Sequence, residues 1–142
     1  IVGSNPTEEM FRLQSDDVVV TGYVPDVAPY FESARVFVAP LRFGAGMKGK
    51  IGQSMTFGLP VVTSGIGAEG MGLENGRHVL IAENTEALVE AIERLYTDEG
   101  LWCKLSVESK QYIHNSYSTS AMKSIMSNIL EHCEKQEKTC CR

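Results

Sequence analysis

Between Phe43 and Gly52 the chain reads FGAGMKGKIG, and this stretch spells two phosphate-binding signatures at once. Gly44, Gly46 and Gly49 are spaced as G-x-G-x-x-G, the dinucleotide fingerprint, while Gly44, Gly49 and Lys50 are spaced as G-x-x-x-x-G-K. The two patterns belong to different folds. A dinucleotide fingerprint needs a strand running directly into its first glycine and an acidic residue closing the next strand. Here Pro40 stops the preceding strand early, the next strand ends in Thr63-Ser64, and Glu69 lies beyond it in a loop. The second pattern needs a hydroxyl at position 51 to hold magnesium, and the residue is Ile51. What the two share is physical: a glycine turn opening a helix presents free N–H groups and the positive end of the helix dipole. With Arg42, Lys48 and Lys50 beside it, such a turn suits a phosphate or diphosphate. A purely structural turn remains an alternative at this point, and neither reading names a reaction.

The elements that must position this turn can be read outward from it. Arg35 to Ala39 is a β-branched, apolar run stopped by Pro40. A helix follows to about Phe57 with Gly58 at its C-terminal cap, and Leu59 to Thr63 forms the next strand. His78 to Ala82 is a further strand after the glycine-rich loop Gly65 to Gly76. Upstream, Ile1 to Gly3 reads as a strand end, followed by a short helix with Met10, Phe11 and Leu13 as its apolar positions. Val18-Val19-Val20 reads as a buried strand, and Asp26 as the N-cap of a helix through Val27, Tyr30 and Phe31. Downstream the pattern is helical: about Thr85 to Tyr96, a second helix after Asp98, and a third entered through Ser118 or Thr119. The third carries an apolar stripe of Met122, Ile125, Met126, Ile129, Leu130 and Cys133.

Short apolar strands alternating with helices predict an α/β fold, a Rossmann-like parallel sheet flanked by helices. In such sheets ligands gather at the carboxyl ends of the strands. Those ends are the segments GYVPD, PLRFGAGMKG and SGIGAEGM, all containing glycine.

Composition narrows the partners. Lys+Arg 13 against Asp+Glu 18 leaves a net charge of −5, the wrong sign for a nucleic-acid or anionic-membrane surface. No apolar run approaches the roughly 20 residues of a membrane span, so the expected location is the cytoplasm. None of the four cysteines, Cys103, Cys133, Cys140 and Cys141, forms a C-x-x-C pair, and reduced thiols are expected. His78, His114 and His132 show no ligand spacing, so no metal is expected. The chain opens on an apolar, strand-like run without Met, as a piece of a longer protein would.

The whole run VFVAPLRFGAGMKGKIGQSMTFGLPVVTS resembles the C-terminal, nucleotide-sugar-binding domain of retaining GT-B glycosyltransferases of the group-1 superfamily, family four. The matching residues are Val36 to Pro40, Gly44 to Gly49, Gln53-Ser54-Met55 and Gly58 to Val62. The similarity continues through GYVPD before and SGIGAEGMGLENGRHVLIAEN after, covering roughly residues 1 to 117. Each motif is weak alone; their order and spacing are specific.

The resemblance implies a single truncated donor domain over residues 1–135, with a polar tail at 136–142. It implies an NDP-sugar as co-substrate without a resident cofactor, and a missing N-terminal GT-B domain as partner. The amides of Gly44, Gly46 and Met47 would face the sugar and phosphates, with Arg42, Lys48 and Lys50 supplying charge and Glu69 in the loop over the sugar. Gly22 and Tyr23 end a strand where the family binds the base, and Gln53 falls where it keeps a glutamate for the ribose. The family's other glutamate falls on Ala45. A degenerate, non-catalytic sugar-nucleotide module and a GT-B-type nucleotide-sugar epimerase are the alternatives. The fragment is expected to be inactive alone, to dimerise through the exposed stripe of its last helix, and to sit peripherally on a membrane only as part of the full-length enzyme.

Overall fold

The computed structural model describes residues 1–140, with side chains described as far as Cys133. The polar tail and the Cys140–Cys141 pair read from the sequence lie outside the described side chains. The chain divides into two compact units, the first Ile1–Ala34 and the second beginning at Arg35.

In the first unit two extended runs lie side by side. Thr21 donates its N–H to the Ile1 carbonyl at 3.0 Å, and Gly3 donates to Gly22 at 3.3 Å. The expected strand at Val18-Val19-Val20 does not form. The run carries no strand assignment and Val19 is 63% exposed, so only Val20 is buried. β-Branched residues favour an extended backbone, but a strand also needs a ladder partner, and this run gains only isolated bonds. Two short helices complete the unit, α1 (Glu8–Phe11) and α2 (Ala28–Ser33). Thr7 caps α1, accepting from the Met10 N–H at 3.3 Å. The apolar positions expected to bury, Met10, Phe11 and Leu13, all stay exposed. The N-cap of α2 is Val27 and not the expected Asp26, which stands one position earlier and accepts from the Ala28 N–H at 2.9 Å; α2 buries Phe31.

The second unit is built on a three-stranded parallel sheet in the order β1 (Phe37–Ala39), β2 (Val61–Thr63), β3 (Leu80–Ile81). The register pairs Val38 with Val62 and Val62 with Leu80. β3 is shorter than the sequence implies, because Val79 bridges Asn75 instead of extending the ladder. Alternation along β2 divides the core. Val61 packs with Ala39, Ile51, Met55, Met71, Val79 and Ile113, whereas Val62 packs with Leu80, Leu95 and Leu105.

Helix α3 (Gly49–Thr56) follows β1 and buries Ile51 and Met55, four residues apart on one face. Gly58, with φ +71°, ends it in the left-handed conformation that glycine adopts at no steric cost. The short α4 (Gly65–Ala68) follows β2 and is capped by Ser64. After β3 come α5 (Thr85–Thr97) and α6 (Glu99–Tyr117), each started by an acceptor side chain. Asn84 takes the Ala87 N–H at 2.8 Å and Asp98 takes the Leu101 N–H at 2.9 Å. Helix α6 serves both halves of the core, through Leu105 on one side and Ile113 on the other. Trp102 is half-buried on α6, and its indole N–H donates to the Arg35 carbonyl at 2.7 Å just before β1. The final helix α7 (Thr119–Cys140) leaves Met122, Ile125, Met126, Ile129 and Leu130 exposed. No helix among the described residues is long and apolar enough to cross a membrane.

Candidate functional site

The glycine turn lies at the carboxyl end of β1 and opens α3. Its backbone is set by two left-handed glycines, Gly44 at φ +146° and Gly46 at φ +69°. Lys48 occupies the N-cap position but offers no capping acceptor, so no side chain closes the start of α3. The Lys48 ammonium folds back instead and donates to the Gly46 carbonyl at 2.7 Å. An ammonium has three donors, so this brace leaves two free. Arg42 and Lys50 are exposed and make no ion pair among the described residues. Phe43 and Met47 are exposed at 86% and 60%, so the rim of the turn is apolar as well as cationic. Gln53 and Ala45 are exposed too, Gln53 one turn into α3.

The neighbouring strand-to-helix turn, between β2 and α4, is built differently. Ser64 Oγ accepts from the Gly67 N–H at 3.3 Å and itself donates to the Leu41 carbonyl at 2.6 Å. That second bond ties the two turns together. A Cβ built on Gly65 would lie 2.8 Å from Glu83 Oε1, so a carboxylate stands over the first turn of α4. Thus α4 starts with the Gly67 N–H engaged by its capping serine, whereas α3 starts without a capping side chain. A helix start without a capping side chain has N–H donors available to an external anion.

The loop after α4 meets the glycine turn directly. A Cβ on Gly70 would sit 3.5 Å from both C and O of Gly46 and 3.9 Å from the Met47 nitrogen. The two loops therefore approach each other to within the space of one methyl group, which places exposed Glu69 beside that approach. Behind this loop, Tyr112 of α6 donates its hydroxyl to the Met71 carbonyl at 2.6 Å, and Tyr117 reaches the same carbonyl at 3.1 Å. His78 stacks on Tyr112 with ring centres 4.0 Å apart, and its Nδ1 accepts the Glu74 N–H at 3.1 Å. Burial pushes the His78 pKa below its ordinary value of 6.5, against the opposing pull of Glu74.

Of the sequence-derived site residues, the structure brings together Arg42, Gly44, Gly46, Met47, Lys48 and Lys50 on the turn and α3, with Glu69 adjoining through Gly70. Gln53 shares α3 with Lys50. Gly22 (φ +69°) and Tyr23, 76% exposed, belong to the first unit. Sequence reasoning missed the tyrosines behind the loop, Glu83 over α4 and the role of His78. Only His78 left a sequence signal, as a polar residue opening an apolar strand. Among the described residues no three His, Cys, Asp or Glu side chains are grouped so as to hold a metal ion.

Compared with curated proteins, the chain matches none. A family model described as glycosyl transferases group 1 matches residues 1–98, which include β1, the glycine turn, α3 and the loop bearing Glu69. That match extends over more than half of the 142 residues, and the parallel sheet with its open helix start agrees with it. The chain belongs to the group 1 glycosyl transferases.

Proposed function

We propose that the chain is the donor-binding half of a retaining glycosyltransferase, taking a nucleoside-diphosphate sugar. The observation that carries this reading is the uncapped start of α3 at the carboxyl end of β1, flanked by Arg42 and Lys50. The amides of the Gly46–Met47 turn and of the α3 start receive the diphosphate, and the cations neutralise it as it departs. Lys48 holds the turn with one donor and offers the others. Glu69 accepts from sugar hydroxyls and Gln53 from the ribose. The acceptor is bound by a partner domain, so the chain alone binds a nucleotide without turning over. No metal enters this scheme, and the enzyme works on the cytoplasmic side, at a membrane only when complete.

Calorimetric titration with UDP, GDP and ADP tests the assignment. At least one binds with a Kd at or below about 1 mM, and Lys50→Ala weakens it roughly tenfold, as loss of a charge-assisted contact would. If no nucleotide binds at millimolar concentration, the site assignment fails.

Ala45 and Gln53 favour a second reading, a sugar-nucleotide module that binds without catalysing. Alanine offers no acceptor at all, and an amide oxygen accepts more weakly than a carboxylate. Gln53→Glu should tighten nucleotide binding about threefold to tenfold if this position meets ribose hydroxyls. Unchanged affinity removes Gln53 from the site.

The exposed stripe of α7 is a surface for a second copy of the chain. Light scattering should then give a mass above that of one chain, falling to one chain for Ile125→Glu/Ile129→Glu. A single-chain mass for the unmodified protein excludes the pairing.

A further inference from the structure

The turn proposed to hold the diphosphate does not stand alone; its far side rests on the loop after α4. Gly70 approaches Gly46 and Met47 closely enough that a Cβ built on it would reach van der Waals contact with their backbone, at 3.5 to 3.9 Å. One residue on, Met71 is fully buried and its carbonyl accepts from Tyr112 and Tyr117. Tyr112 also donates to the Gly72 carbonyl at 3.2 Å, and a Cβ on Gly72 would lie 2.9 Å from that hydroxyl. The Tyr112 ring is in turn stacked by His78, which is 3% exposed. His78 Nδ1 then closes the loop on itself by accepting the Glu74 N–H. A series of contacts therefore runs from a buried imidazole to the Met71–Gly72 backbone, and Gly70 beside it closely approaches the amides of the glycine turn.

We propose that His78 is a positioning residue for the donor site, acting through Tyr112 and the Gly70–Gly72 backbone to fix the Gly46–Met47 amides. This rests on the donor-site reading above, but the clamp itself is a property of the ligand-free chain.

Its chemistry follows from the hydrogen bond. Nδ1 can accept the Glu74 N–H only while it carries no proton, so the ring must be neutral with its hydrogen on Nε2. Protonation converts Nδ1 to a donor facing another donor, and the bond is lost. The groups facing the ring are Glu74 and Arg77 from the loop, and Glu108 and Tyr112 from α6. Glu74 and Glu108 favour the charged ring, but Arg77 is shared between them at 3.1 and 3.6 Å and opposes it. Burial prevails and the neutral ring is held. The folded pKa is lowered, so the stabilisation is present above the unfolded value of 6.5 and is lost as pH falls below it toward the folded value.

The test uses the whole chain without ligand. Amide resonances of Glu74, Gly70, Gly46 and Met47 are followed by NMR between pH 7.5 and 5, beside the His78 side-chain signals. In the unmodified protein all four move with the His78 midpoint, and the melting temperature falls over the same interval. His78→Asn keeps an acceptor oxygen near the place of Nδ1 but cannot titrate, so it retains the amide positions and abolishes that pH response. Tyr112→Phe keeps the ring and removes the hydroxyl, so Gly46 and Met47 shift at every pH while Glu74 stays. Where Kd can be read, Tyr112→Phe weakens UDP binding about fivefold. If His78 titrates while Gly46 and Met47 do not move, or if His78→Asn titrates like the unmodified chain, the proposal is overturned. Absence of nucleotide binding overturns the donor reading instead, because the resonances report the clamp without any ligand.

Discussion

Replacing Gly67 by alanine is expected to lower stability by about 3–5 kcal/mol, the largest loss from any single methyl group in this chain. The added Cβ would overlap Thr63 Oγ1 and lie 3.2 Å from Thr63 Cβ and 3.3 Å from Ile51 Cδ1. None of these can yield cheaply. Thr63 is fully buried on β2 and its hydroxyl donates to the Ala39 carbonyl at 2.8 Å, so turning it away costs a buried bond. Ile51 is 1% exposed and anchors α3. The chain must instead move α4 off the sheet. Urea unfolding should report the loss, with a melting temperature lowered by roughly 10–15 °C. Gly65→Ala makes the control: its close neighbour is the far end of exposed Glu83, which can swing away, so the cost stays within about 1 kcal/mol. Equal losses for the two variants would refute the steric argument.

The second large effect comes from the other side of the sheet. Leu105 is fully buried against Val62, Leu80 and Leu95, and with partly buried Leu101 it joins α6 to that half of the core. Leu105→Ala removes the transfer free energy of the side chain and leaves a cavity, together about 3 kcal/mol. Val107, 64% exposed on the same helix, sets the background, and Val107→Ala should change stability by no more than about 0.5 kcal/mol. A loss below about 1 kcal/mol for Leu105→Ala would mean that α6 does not carry the core in this way. Because Tyr112 and Tyr117 stand on the same helix, the variant should also loosen the loop around Met71. That would be visible as faster amide exchange there than in Val107→Ala.

The parts of this fold that could be read in advance are those set by local chemistry. Asn84 and Asp98 accept helix N–H groups, Gly58 closes α3 with positive φ, and the strands at Phe37, Val61 and Leu80 fall inside apolar runs. What was illegible depends on distant partners. The triple valine Val18–Val20 signals extension, but nothing in those residues says whether a ladder partner exists, and Val19 ends in solvent. The Gly65–Ala68 segment looks like loop by propensity, since two of its four residues are glycine. Ser64 capping and the fit against Thr63 make it a helix turn. For the candidate site, the glycine turn, its cations and its place after β1 were legible. The turn of Lys48 back onto Gly46 was not, because a lysine in sequence does not show where its ammonium rests. Nor were the contacts of Tyr112 with Met71, which lie 41 positions apart along the chain.

One contact bears on how such a site can change its chemistry. Gly70 and Gly46 approach each other where neither has a side chain, and the residues around them, Phe43, Ala45, Met47 and Glu69, are exposed. Frame and fittings are separate: the mount is braced by Ser64, Lys48 and Tyr112, none of which is among those exposed side chains. A carboxylate can therefore be removed at position 45, or an aromatic exchanged at 43, with the geometry of the amides left as it was. On the proposed reading, the turn would retain its grip on an anion while the choice of what that anion is attached to passes to residues free to vary.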